Sequence, residues 1–314
     1  MYEDSLNIAL GPIHVFAYGA LIALGLFLLL LSLFALRKKH SLSSDTVLVY
    51  GVTALPLALV LSRLLFCLLD FNFHSVFSLR AVVAFWGGGF SMVGALLGLT
   101  LAAFLTGKLQ KTCPLRLLDA AAIGFLLFML CARMAEPFTE LLGRSRPLVS
   151  KAFKNSFLAM GDEYDAYLRT YAIEAAAAAM LSIYLFFFQK KQRKAGDIFL
   201  MLMLLHGCAE TLLYSLRFDA HMRYSFISVQ QLIFAAVFAV PLFLFAIRYG
   251  KKLGKKTPVW IALGVMVVAA GLAVVLEFMI DRSGVSRILL YALYLLLISA
   301  PAAAGCIFYQ RSQA

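Results

Sequence analysis

Between residues 13 and 309 the chain passes through one apolar run after another, each of about twenty residues, the length that crosses the hydrocarbon of a bilayer. In lipid a span has to satisfy its own backbone, so such runs fold as helices. They fall at 13–36, 46–69, 86–106, 114–133, 168–188, 197–216, 226–247, 258–279 and 287–309, which predicts an all-α polytopic membrane protein of about nine transmembrane helices. Hydrophobic residues make up 63% of the chain, against close to half in soluble domains, and little sequence is left for an independent soluble domain.

The formal charge of +12 does not indicate nucleic acid, because the basic residues are dispersed among loops and not pooled on one face. Alternate loops carry them: "RKKH" (37–40), "GKLQK" (107–111) with Arg116, "QKKQRK" (189–194) and "RYGKKLGKK" (248–256), nearly free of acids. The positive-inside rule assigns that set to the cytoplasm. The opposite set mixes signs: Glu3, Asp4, Asp70, "GDEYDAY" (161–167), "RFDAHMR" (217–223) and "DRSG" (281–284). An outside N-terminus and a cytoplasmic C-terminus follow, and "MYEDSLNIAL" lacks the basic start of a signal peptide. Five cysteines without a CxxC pair indicate neither a disulfide framework nor a thiolate zinc site; they read as small core residues.

Three stretches depart from simple spans. Residues 70–85, "DFNFHSVFSLRAVVAF", are too short to cross and suit a re-entrant or interfacial segment. Residues 134–167 form the longest loop, on the outward side, where there is room for capture of an external substrate. The run "WGGGFSMVGALLG" (86–98) opens the third span with five glycines, which serve either close helix packing or close approach of a ligand.

Ionisable residues inside spans are costly, by estimates from about 2.5 to 17 kcal/mol, and here they cluster. Arg63 lies deep in the second span, Arg133 ends the fourth, and His206, Glu210 and Tyr214 follow one face of the sixth, with Arg217 beyond them. Arg133, Glu136 and Glu140 repeat a helical spacing, although Pro137 interrupts the helix there. If the two faces meet, Glu136 and Glu140 satisfy Arg217 or Arg63 and Glu210 pairs with Arg133, leaving a polar cavity open to the outer leaflet. Anchoring at the interface accounts for Arg217 alone but not for Arg63, His206 or Glu210. Arginine forks at headgroup depth above an apolar floor suit a phospholipid phosphate. A metal site is weaker, since zinc wants three or four ligands and no HExxH pattern occurs. A proton-coupled transporter using His206 and Glu210 as a relay is the other class, although no internal repeat supports it.

In its motifs the chain resembles the phosphatidylglycerol:prolipoprotein diacylglyceryl transferases over roughly Gly11 to Arg248. The family's Tyr-Gly pair reads as Tyr18-Gly19, its second-span arginine as Arg63, and its Trp-x-Gly-Gly run as Trp86, Gly88 and Gly89, followed by Ser91. Asp119 opens the fourth span, and Arg133 takes the arginine of the signature "GRxGNFxNxExxG"; Glu140 and Gly143 take its glutamate and last glycine if one residue is deleted. Arg217 in "LRFD" and Gln230 or Gln231 also fit. Other family positions are changed: Val93 replaces the histidine of "HGG", Glu136 the signature asparagine, Glu210 the arginine of the sixth span, and Tyr214 the glutamate four residues later.

The resemblance implies a seven-helix transferase core over 1–250, with two further helices over 251–314. It also implies a bacterial plasma-membrane enzyme moving diacylglyceryl from phosphatidylglycerol to the lipobox cysteine of a prolipoprotein, without cofactor or metal. Arg133, Arg63, Arg217, Tyr18, Glu140, Gly88, Gly89 and Gly143 are then the headgroup-binding residues. With Val93 unable to move a proton, His206, Glu210 and Tyr214 become the candidate catalytic groups. A descendant that binds lipid but has altered or lost the chemistry is the alternative.

Overall fold

Apolar runs become helices α1 (Ala17–Leu36), α2 (Ser44–Leu69), α3 (Met92–Leu109), α4 (Pro114–Ala135), α5 (Thr170–Phe188), α6 (Asp197–Leu216), α7 (Val229–Leu253), α8 (Thr257–Arg282) and α9 (Arg287–Gln313). The structure, a computed structural model, describes residues 7–10, 13–69, 82–84, 89–138, 145, 156–161, 166–191, 193–217, 223–224 and 226–313. Among these residues, nine helices are long and apolar enough to cross a membrane.

Two helix starts differ most from the sequence expectation, those of α1 and α3. Residues 13–16 are not helical: β2 (Ile13–Phe16) pairs antiparallel with β1 (Asn7–Leu10), from Asn7 opposite Phe16 to Leu10 opposite Ile13. The β-branched Ile13 and Val15 favour that extended form. Helix α3 begins only at Met92, after the glycine run, because Ser91 caps it by accepting from the Gly94 N–H. Most of the expected interfacial segment, 70–81 and 85, lies outside the described residues. Two more hairpins pair antiparallel, β3 (Ala159–Gly161) with β4 (Ala166–Leu168) and β5 (Arg223–Tyr224) with β6 (Ile227–Ser228).

The chain divides into two compact units. The first holds residues up to Phe199 together with 217–220. In it α2 packs on α3, α1 on α4, and α4 on α5. The α2–α3 approach is close because Gly94 and Gly98 present bare backbone to α2: a Cβ on Gly94 would overlap the Leu61 carbonyl, and one on Gly98 the Ala58 backbone. For these two glycines the run serves helix packing. Because backbone cannot yield as a side chain can, Gly98→Ala should cost about 1–3 kcal/mol, measurable as a lowered unfolding midpoint of the detergent-solubilised protein. Polar pins reinforce the seam, with Tyr50 donating to the Leu99 carbonyl at 3.2 Å and Thr53 bonded to Thr106 at 3.0 Å.

Asp119, buried in α4, accepts from the backbone N–H of Gly196 at 2.7 Å and of Phe199 at 2.9 Å. Its side-chain oxygens thus satisfy two backbone donors at the start of α6, where a helix leaves N–H groups without intrahelical partners.

The second unit holds Leu200–Leu216 and residues 221–314. Helix α7 starts on a capping box, Ser228 and Gln231, and ends at Gly254, whose φ of 68° closes the last turn. Gly207 of α6 allows the Phe238 backbone of α7 close, and Cys208, Phe238 and Ile298 form a small core there. Helices α8 and α9 pack on each other and on α7, with Phe245 edge-on to Tyr309. At the ends of α7 and α9, Lys252 Nζ comes within 3.5 Å of the Arg311 carbonyl.

Candidate headgroup site and its family

In the first unit, where α4 ends and α5 begins, four charged side chains close into a ring. The last turn of α4 carries Arg133, and the chain passes at once into a 3₁₀ turn, Glu136–Phe138, at Pro137. That turn sets Glu136 on the Arg133 guanidinium, Oε1 to Nη1 at 2.5 Å. From α5, packed against α4, comes Glu174, fully buried one turn inside the span. Its Oε2 lies 2.6 Å from Arg133 Nε.

Arg217 completes the ring. It sits just past α6, where its backbone forms a β-bridge to Ser145. Its Nε donates to Glu174 Oε1 at 2.6 Å and its Nη2 to Glu174 Oε2 at 2.5 Å, the two-pronged geometry in which arginine binds a carboxylate best. The same Nη2 donates to both oxygens of Glu136 at 2.9 Å.

The two carboxylates are not equivalent. Glu174 is sealed, whereas the Glu136 side chain keeps 16% of its surface exposed, more than Arg217 at 12% or Arg133 at 8%. Glu136 therefore stands at the mouth of the ring and Glu174 at its floor. Tyr18 lies in the first turn of α1, a helix that packs beside the Glu136–Phe138 turn.

Arg63 is buried in α2, where its Nη1 donates to the Gly89 carbonyl at 3.0 Å and its guanidinium lies over the Phe66 ring. Gly89 has a φ of 78°, and a Cβ there would strike Phe66, so glycine is required. Next to Arg63, Ser62 exchanges hydrogen bonds with the Ser91 backbone, at 2.8 and 3.0 Å, fixing the entry to α3. Val93 is buried in the first turn of α3. Gly88, Glu140 and Gly143 lie outside the described residues.

In the second unit, α6 presents a buried polar face. His206 Nδ1 is 3.7 Å from Glu210 Oε1, one turn along the helix. His206 and Tyr214 both pack on the ring of Phe234 from α7, with ring centroids 5.8 and 5.4 Å apart. Next to Glu210, the Thr211 carbonyl accepts from Gln231 Nε2 at 3.3 Å, and the same amide donates to Glu277 of α8 at 2.6 Å. Glu277 is thus a buried tie between α8 and α7. Among the described residues no group of three His, Cys, Asp or Glu side chains could hold a metal ion.

Glu174 is the ring residue that the sequence reading passed over. Its signal was present: a short acid one turn inside a span cannot snorkel as a long arginine can, so it needs a partner within the protein.

A family model described as prolipoprotein diacylglyceryl transferase matches residues 5–249. The chain belongs to this family. Among its diacylglyceryl transferase relatives, the phosphatidylglycerol–prolipoprotein diacylglyceryl transferase of Oceanobacillus iheyensis is 22% identical over 239 residues, covering 73% of this chain and 83% of that protein. The enzyme of the same name from Streptococcus equi subsp. zooepidemicus is 25% identical, covering 73% and 91%. A shorter match, 26% identical over 119 residues, is to the one from Listeria monocytogenes serotype 4a. Helices α8 and α9 lie beyond the residues that the diacylglyceryl transferase model matches.

Proposed function

We propose that this protein moves a diacylglyceryl group from phosphatidylglycerol to the cysteine thiol of a prolipoprotein, at the outer leaflet of a bacterial plasma membrane. Its N-terminus is then outside and its C-terminus cytoplasmic. Family membership supports the reaction, and the observation that carries the site is the paired guanidinium groups of Arg133 and Arg217 where α4 ends. In the reaction the thiolate sulfur attacks the glycerol carbon, a C–S bond forms, the C–O bond to phosphate breaks, and glycerol phosphate leaves with the electron pair. The thiol has first to lose its proton, since its ordinary pKa of about 8.5 leaves little thiolate at neutral pH. The leaving phosphate gathers charge, which arginine stabilises.

Val93 cannot accept the thiol proton. His206, supported by Glu210 and with Tyr214 on the same face, takes that role in this reading. His206→Ala is therefore expected to lower transfer by about a hundredfold or more while leaving phospholipid retention unchanged, read by the mass shift of a lipobox substrate and by co-purified lipid.

A second reading keeps the lipid and gives up the chemistry. It is favoured by the residues at Val93, Glu136, Glu210 and Tyr214, and by a ring whose arginines are already matched by carboxylates. Expression in cells depleted of their own transferase separates the two: lipoprotein modification supports the transferase, whereas correct insertion without modification supports a lipid-binding descendant. Family membership favours either over a proton-coupled transporter.

A further inference from the structure

Helix α6 carries two stripes side by side. His206, Glu210 and Tyr214 recur at every fourth residue, and so do Gly207, Thr211 and Ser215, each one residue further on and about 100° around the axis. The first stripe carries the proton chemistry of the proposed function. The second is where the other helices of the second unit take hold of α6.

At Gly207 the α7 backbone comes so near that a Cβ would lie 3.0 Å from the Phe238 nitrogen. One turn on, Thr211 donates its hydroxyl to the Gly207 carbonyl at 2.7 Å and offers its own carbonyl to Gln231 Nε2 at 3.3 Å. After another turn comes Ser215, held by α9: the Tyr291 hydroxyl donates to the Ser215 carbonyl at 3.1 Å and accepts from Ser215 Oγ at 3.3 Å.

The middle hold depends on α8. Gln231 Oε1 accepts from the Ser228 N–H at 2.9 Å, which ties the amide to the start of α7. The two hydrogens of its Nε2 then go to the Thr211 carbonyl and to Glu277 Oε1, the latter at 2.6 Å. The bond to Glu277 is the shorter, so the α8 carboxyl does most to fix where that nitrogen points. Held at three successive turns, α6 has its rotation set, and its rotation decides where the neighbouring stripe faces.

We propose that Glu277 and Tyr291 are positioning residues for diacylglyceryl transfer: acting through Gln231 and Ser215, they set the rotation of α6 and with it the aim of His206 at the thiol proton. Helices α8 and α9, which lie beyond the residues that the family model matches, are then part of the catalytic apparatus. The inference rests on His206 being the proton acceptor of the proposed function, and it adds what holds that residue in place.

The test measures transfer by the full chain in detergent micelles containing phosphatidylglycerol, with a synthetic peptide bearing a lipobox cysteine varied to separate kcat from KM. Glu277→Leu is expected to lower kcat about tenfold with KM unchanged, because a misaimed group loses rate and not peptide affinity. Glu277→Gln is expected to keep kcat within about twofold of wild type, since its amide oxygen still accepts from Gln231. Tyr291→Phe removes one hydroxyl at the other end of the seam; it is expected to lower kcat several-fold at unchanged KM, and it carries the test should the leucine variant fail to insert. An unchanged kcat in Glu277→Leu and Tyr291→Phe, even with a lowered unfolding midpoint, makes the seam a structural tie and overturns the proposal while the transferase stands. Equal losses in Glu277→Gln and Glu277→Leu overturn it as well, since the acceptor is then not what matters. A wild-type chain that transfers nothing overturns both.

Discussion

Glu174→Ala is expected to destabilise the first unit by about 3–5 kcal/mol, the usual cost of removing one partner from a buried ion pair. The size follows from position. Glu174 is fully buried and accepts from Arg217 through two prongs while also facing Arg133, so its loss takes a buried carboxylate from two guanidinium groups at once. Glu174→Gln keeps the shape and one acceptor oxygen, so a smaller loss is expected. Unfolding midpoints of both variants in detergent check the ordering. A Glu174→Ala protein as stable as wild type would mean that water, not the carboxylate, satisfies the arginines.

Arg133→Ala is expected to lower transfer by about two to three orders of magnitude, the scale on which enzymes depend on one donor aimed at developing charge. Of the two arginines it is the one that the resemblance equates with the signature arginine. The side chain also bridges both carboxylates, so stability has to be read alongside activity. Arg133→Lys separates the effects: it keeps the charge but loses the planar fork, and should fold while transferring poorly. Activity near wild type in Arg133→Lys would show that a point charge suffices and that the fork is dispensable.

The course of the helices was legible in the sequence because hydrocarbon thickness imposes a length that composition must meet. The starts of α1 and α3 were less legible, since they depend on local chemistry that a hydropathy window averages away: the β-hairpin register at Ile13–Phe16 and the Ser91 cap. Arg133 and Glu136 stood out by their helical spacing at the end of a span, although interfacial anchoring accounted for Arg217 alone. The expected pairing of Glu136 with Arg217 is present, whereas the contacts of Arg133 with Glu136 and Glu174 were not foreseen, because they depend on how α4 and α5 meet and on a 3₁₀ turn that swings Glu136 back over Arg133. Glu174 escaped notice amid alanines in "TYAIEAAAAAM", where the apolar surroundings that make its charge significant also hid it. The tie from Gln231 to Glu277 was equally hidden, since it joins residues of two helices forty-six positions apart.

Lys252 and Arg311 close a different question. Their approach at the ends of α7 and α9 means that the antiparallel pair α8 and α9 goes out and comes back, delivering the last residues to the face where α7 already stopped. The extension is thus topologically silent: a reporter domain fused after Leu253 and one fused after Gln313 sit in the same compartment. A chain can gain or lose such a pair in one step without turning any earlier span over.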